Sequence, residues 1–392
     1  MKVPFSYLQR QFKQSESKDK LLADLIINDI RDFISTSDFT LGKKLEEFEE
    51  KFANLIGVKY ALGVGSGTDA LILSLKAENI GFGDEVITCA ETFIATAGAI
   101  AGSGATPVFV DVNDEFTIDE TLIENAITEK TKAIMPVYFT GNCPNMDKIL
   151  QIAKKHDLKV IEDSCCAIDA DIKGKKAGSF GNAGAFSFHP LKNLNVFSDG
   201  GMVTTNDENL ANKIKLLRNH GLKNRDEVEI FGYNSRLDTL QAVVALRMID
   251  DVKNVSDQRI NNAKKLDDGF RDLKDFIEIP KRSPNVRQVF HLYMLRVKKR
   301  DELHAFLNSK DIEAKIHYPI ALPYQQCCKH LNYKKGDFPK TERDCSTIIT
   351  LPCHQHLRDE EIDYMIQTIK DFYLNHFDKA DLPFKELNAC TK

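Results

Sequence analysis

Lys192 follows the apolar run Phe186-Ser187-Phe188 and precedes the turn Ser198-Asp199-Gly200-Gly201. Most lysines are solvated surface groups. One held at the end of a buried strand can lose its proton and serve as an amine nucleophile or a base. Asp163 closes a second apolar run, Lys159-Val160-Ile161-Glu162. A carboxylate there is either a cap or loop group, or a charge that reaches a ligand from the edge of a sheet. Gly63-Val64-Gly65-Ser66-Gly67-Thr68-Asp69-Ala70 lies between a predicted strand and a predicted helix. Small residues there let backbone approach a ligand, and a helix start offers free N–H groups and a positive dipole. That suits a phosphate, although plain tight turns share the pattern. It is neither a Walker loop nor a G-x-G-x-x-G fingerprint. Phe93 follows a further strand, as a core residue or as a flat face for a planar ring.

Together these four features match the needs of pyridoxal phosphate. Its phosphate takes a helix N-terminus, its ring an aromatic face, its pyridinium nitrogen a carboxylate, and its aldehyde a lysine. Other chemistries fit less well. Cys353, His354 and His356 have no zinc-ligand spacing, so no metal is expected. No G-x-S-x-G elbow occurs, and His189, beside Pro190, reads as structural.

The elements that would hold these residues are legible as a pattern. Leu21, Leu22, Leu25, Ile26 and Ile30, then Leu45, Phe48, Phe52 and Leu55, recur at helical spacing. From Lys59 short apolar runs alternate with helical stretches: Tyr60–Val64, Glu85–Thr88, Pro107–Val110, Ala133–Val137, Lys159–Ile161, Ala185–Phe188 and Met202–Thr205. This predicts an α/β fold, a mostly parallel sheet flanked by helices, with functional groups at the C-terminal strand ends. One long helix is expected over about Leu237 to Val255. Beyond it, a charged helical stretch, an alternating run His291–Val297 and further helices to Tyr373 suggest a smaller α+β domain. The expected division is 1–255, 256–373 and a tail over 374–392.

Lys+Arg number 53 against 58 Asp+Glu, a net charge of −5, so no excess of positive charge advertises a nucleic acid. No apolar run reaches the roughly 20 residues a membrane span needs, and the polar stretch Gln11–Lys20 does not resemble a signal peptide. Nine cysteines, with Cys165-Cys166 and Cys327-Cys328 adjacent and no C-x-x-C, suggest a reduced, cytoplasmic chain.

From about Val3 to residue 373 the sequence resembles the DegT/StrS group of sugar-nucleotide aminotransferases, a branch of the fold-type I, aspartate aminotransferase-like enzymes. The resemblance rests on several stretches in order: Ser66–Ala70, Gly83–Ile87, Thr92–Thr96, Val160–Asp163, Ser187–Leu194, Leu217–Gly221, Asn234–Asp238, His317–Pro319 and Leu351-Pro352. It implies that Lys192 binds the cofactor aldehyde and shuttles protons, that Asp163 pairs with the ring nitrogen, and that Phe93 stacks on the ring. Gly67, Thr68, Asp69 and Ser187 would hold the phosphate. Asn234 would reach the phosphate of the neighbouring subunit in a homodimer. His317 and Tyr318 would line the sugar side, or simply pack the C-terminal domain. The implied reaction moves an amino group from L-glutamate, leaving 2-oxoglutarate, to C3 or C4 of a nucleotide-linked keto sugar, for a surface polysaccharide or glycan. Relatives with histidine at the lysine position dehydrate the sugar instead; lysine here favours amination. A non-catalytic, cofactor-binding regulatory protein is the alternative outside enzymology. In one departure, Cys166 stands where the family has glutamine, and a thiol is a weak hydrogen-bond partner.

Overall fold

The computed structural model describes residues 1–13, 15–17 and 20–376. Seven strands make the main sheet: β1 (Tyr60–Val64), β2 (Glu85–Cys89), β3 (Thr106–Val110), β4 (Thr131–Met135), β5 (Lys159–Asp163), β6 (Ala183–Ser187) and β7 (Gly201–Thr205). Their order is β1-β7-β6-β5-β4-β2-β3. Only β7 runs against its neighbours, β1 and β6; the other adjacent pairs are parallel. The C-terminal ends of β1, β2, β5 and β6 therefore open on one edge of the sheet.

Helices cover both faces, and the two-residue period of the strands decides which side chain meets which helix. On one face Leu62, Val86, Ala133, Ile161 and Ala185 pack under α3 (Gly67–Ala77), α4 (Ile94–Ser103) and α6 (Glu208–Leu217). On the other, Ile87, Ile134 and Val160 meet α5 (Met146–Lys155). Phe186 and Met202 meet α2 (Lys43–Ile56) and α7 (Thr239–Met248). Leu45, Phe48, Phe52 and Ile56 of α2 form its buried stripe, and the Phe52 ring stands edge-on to Phe186 and Phe188. Each such buried side chain contributes about 1.5–3 kcal/mol. The helix preceding α2 is α1 (Leu22–Thr36).

The long helix expected over Leu237 to Val255 is two. A 3-10 turn, Ile249–Asp251, separates α7 from α8 (Val252–Gly269). The buried faces explain the break. Ala242, Ala245, Ile249 and Val252 serve the main-sheet core, whereas Ala263 and Leu266 serve a second core. That core lies on an antiparallel sheet of β8 (Ile277–Glu278), β9 (Tyr293–Val297) and β10 (Ile348–Leu351). It is covered by α8, α9 (Arg300–Ser309) and α11 (Asp359–His376); α10 (Pro339–Thr347) leads into β10.

The half-buried alternation expected across β9 is not what forms, because all five of its residues are buried. Arg296, the charged member, makes a buried ion pair with Asp344, donates to the carbonyl of Asp114 at 2.9 Å, and lies over the Phe116 ring. Glu313 to Tyr318 carries one isolated bridge, Lys315 to Thr350. The N-terminus attaches to this second layer, through a bridge from Val3 to Ile312 and a two-point Arg10–Glu361 pair. Of the tail expected over 374–392, residues 377–392 lie outside the described residues; α11 runs to His376. No helix among the described residues is long and apolar enough to cross a membrane.

Candidate active site

The strand ends surround a cavity of about 310 Å³ between the main sheet and the second layer. Gly67, Thr68, Phe93, Ser187, Lys192, His317 and Tyr318 all line it. Seven of the expected residues, from four separate segments, thus meet at one place.

α3 starts at the cavity wall. Ser66 caps it, its Oγ accepting the Asp69 N–H at 3.0 Å, which leaves the first-turn N–H groups of Gly67 and Thr68 without intrahelical acceptors. Gly67 has no room for a side chain: a Cβ would sit 2.7 Å from Ser187 Cβ and 2.8 Å from Cys165 Sγ. Asp69 turns the other way and accepts from the Ser235 hydroxyl at 2.7 Å. It shapes the turn and lies off the cavity wall.

Asp163, at the end of β5, is buried. Thr96 Oγ1 donates to it at 2.7 Å, and the Cys165 N–H reaches its other oxygen at 3.3 Å. Thr96 is in turn bonded to Thr92 at 2.8 Å. No cation pairs with this carboxylate among the described residues. A buried acid with two donors and no counter-charge is a site prepared for a cation. Phe93, at the start of α4, is 52% exposed, and its ring lies 6.2 Å from that of Tyr318. An open aromatic face, an unpaired acid, a helix start and a lysine are what pyridoxal phosphate requires, so the residues present fit it.

β5 and β6 are held in register by Glu162. Its buried carboxylate accepts the N–H groups of Gly178, Phe180 and Gly181, and the Tyr138 hydroxyl. Burial pushes this acid up, and these hydrogen bonds pull it down. Gly178 has φ +79°, and a Cβ there would overlap the Phe186 ring. This loop delivers β6, and β6 delivers Ser187 and Lys192.

The Lys192 amine lies 3.0 Å from Cys166 Sγ and 3.4 Å from His291 Nε2. Tyr7, brought in by the N-terminal segment, fixes the lysine backbone by donating its hydroxyl to the Lys192 carbonyl at 2.9 Å. Burial lowers the amine, but the Cys166 and Cys165 sulfurs and Asp163 outweigh it, so Lys192 stands above its ordinary value. The sequence-based expectation of a lowered lysine needs a cationic group beside it, and the chain's own neighbours are anionic or neutral. Burial also raises both thiols, against the pull of Lys192. They are therefore protonated at neutral pH, and Cys166 Sγ acts on the amine as a direct hydrogen-bond partner. His291 is held well below its ordinary value by burial, with Lys192, Arg259, His317 and His189 adding to the effect. Burial likewise takes His317 down to about 4. Both are neutral at pH 7.

Asn234 is the expected residue that lies apart. It is exposed and bridges backbone to backbone with Asn219, next to the fully exposed Phe231. The sequence reading passed over Tyr7, Thr96, Arg259 and His291. Thr96 sat inside a recognised stretch, and His291 opened a run read only as a strand. Tyr7 and Arg259 carry no local signal, since they meet the site from remote segments.

Residues 21–370 match the DegT/DnrJ/EryC1/StrS aminotransferase family, and the chain belongs to it. It is 39% identical to the pleiotropic regulatory protein of Geobacillus stearothermophilus, over 96% of this chain and all of that protein. It is also 39% identical to the dTDP-3-amino-3,6-dideoxy-alpha-D-galactopyranose transaminase of Aneurinibacillus thermoaerophilus, over 85% of this chain and 91% of that one. The crystal structure of S. venezuelae DesV in complex with a ketimine intermediate superposes with a TM-score of 0.90 at 33% identity, covering 95% of this chain and 98% of that chain.

Proposed function

We propose that this protein is a pyridoxal phosphate-dependent aminotransferase that moves an amino group from L-glutamate to a keto group, at C3 or C4, of a nucleotide-linked deoxy sugar. The product is an amino sugar for a surface polysaccharide or glycan, made in the cytoplasm. The observation that carries the reading is the meeting of Lys192 and the start of α3 at one cavity, with the unpaired Asp163 buried just behind its wall beside Cys165. The transaminase relative and the DesV structure support the substrate class.

When bound, the cofactor would supply an aldehyde and a ring able to act as an electron sink. The Gly67 and Thr68 N–H groups and the Ser187 hydroxyl would hold its phosphate, with Asp69 shaping the turn. Asp163 would pair with the ring nitrogen, and Phe93 would offer its face to the ring. Lys192, once its amine is free, takes the proton from the amino-acid Cα and later delivers one to the sugar carbon. The neutral imidazole of His291, 3.4 Å away, accepts a hydrogen bond from the amine and keeps it aimed at the cavity. Cys166 Sγ holds the amine on its other side. The exposed strip around Asn234, Phe231 and Val228 is read as a homodimer face, from which Asn234 reaches the partner's phosphate.

The test is a panel of dTDP-, UDP- and GDP-linked keto sugars, each incubated with holoenzyme and L-glutamate. Formation of 2-oxoglutarate matched by an amino sugar supports the reading. Loss of the sugar 3-hydroxyl without 2-oxoglutarate supports dehydration instead. No turnover with any sugar, and no spectral change with glutamate, supports a regulatory role.

A further inference from the structure

Arg259 lines the same cavity as Lys192, yet is only 2% exposed. Its neighbours are neutral. Nε donates to Gln355 Oε1 at 2.9 Å and Nη1 to the Phe290 carbonyl at 3.3 Å; Nη2 is buried with no hydrogen-bond partner. The guanidinium also lies over the Tyr7 ring, 5.2 Å from its centre. No carboxylate pairs with it among the described residues. The acids on its own helix are taken: Asp257 by Lys253 and Arg287, Asp267 by Arg282, and Asp268 by Arg271. Glu361, on α11, is taken by Arg10 and Arg358.

A buried, uncompensated cation is costly unless an anion joins it. Several titratable groups packed around it reflect its field, Cys353 among them, a thiol that burial keeps raised against the pull of Arg259. His354 is held at about 3 and His356 at about 4, by burial first and Arg259 second. His291 is lowered and Tyr7 eased down by the same charge. None of these groups offers a negative charge at neutral pH. A planar fork with an open N–H edge matches a carboxylate.

We infer that Arg259 binds a carboxylate group of the amino donor. This rests on the reading of glutamate as donor and adds the residue that recognises it. The alternative anion, the diphosphate of the nucleotide, shares the chemistry. The same cavity of about 310 Å³ must also take the cofactor, however, so a nucleotide would lie largely outside it, and its diphosphate would have to reach a side chain at the buried wall. A small dicarboxylate asks for far less of the remaining space.

The experiment measures binding of glutarate, an inert dicarboxylate, to holoenzyme by calorimetry, in wild type, Arg259→Lys and Arg259→Gln. Loss of a charge-assisted contact weakens binding about 10- to 100-fold, with Arg259→Lys between wild type and Arg259→Gln. KM for glutamate rises in parallel, while affinity for the nucleotide sugar stays close to wild type. Circular dichroism confirms that each variant is folded, and Arg259→Lys keeps the charge if Arg259→Gln does not fold. Undiminished glutarate binding in the variants, or a loss confined to the nucleotide sugar, overturns the inference. Wild-type protein that binds glutarate through Arg259 but never aminates with glutamate retains the site and refutes the donor reading instead.

Discussion

Replacing Thr96 by valine removes one hydroxyl and keeps the shape of the side chain. In the folded protein that hydroxyl donates to Asp163 Oδ2 at 2.7 Å in a buried setting. A hydrogen bond to a charged group contributes about 1.5–3 kcal/mol. The bond fixes the direction in which the carboxylate faces the cofactor's ring nitrogen and satisfies one of its lone pairs, so its loss weakens the hold on the cofactor. At the lower end of that range the dissociation constant of pyridoxal phosphate rises about tenfold. The assay is cofactor titration by absorbance at neutral pH, in wild type and Thr96→Val, with circular dichroism to confirm the fold. Equal cofactor affinity in the two proteins refutes the claim that Thr96 positions the acid facing the ring nitrogen.

Cys166→Gln puts an amide where the family resemblance expects one and removes the thiol 3.0 Å from the lysine. The expected result is a tighter cofactor complex, by a hydrogen bond of about 1 kcal/mol or roughly fivefold in dissociation constant, read by equilibrium dialysis. Gly178→Ala forces a Cβ onto a backbone at φ +79° and against the Phe186 ring. It should lower unfolding stability by at least about 1–3 kcal/mol, measured by urea denaturation, with cofactor loading falling only as the folded fraction falls.

Much of the site was readable because its residues sit in contiguous signals. The turn 63–70, Asp163 and Lys192 each adjoin an apolar run, and a parallel sheet gathers such runs at one edge. The periodicity that set β1 through β7 also sorted their side chains between two helix layers. What stayed hidden depends on distance along the chain. The break between α7 and α8 has no glycine or proline to announce it; it appears only when two separate cores claim the two halves. β9 carries Arg296 on what reads as a wet face, and only the Asp344 pair from a segment 48 residues away makes it dry. Arg259 looks like one charge in a charged helix until the absence of a nearby acid becomes visible in three dimensions. Tyr7 secures the lysine from 185 positions away.

The most direct measurement is to load purified protein with pyridoxal phosphate, reduce it with borohydride, and map the modified peptide by mass spectrometry. The account predicts a yellow protein that yields one pyridoxyl group, on Lys192, and a Lys192→Ala variant that yields none. A colourless protein, or a pyridoxyl group carried by another lysine, contradicts it.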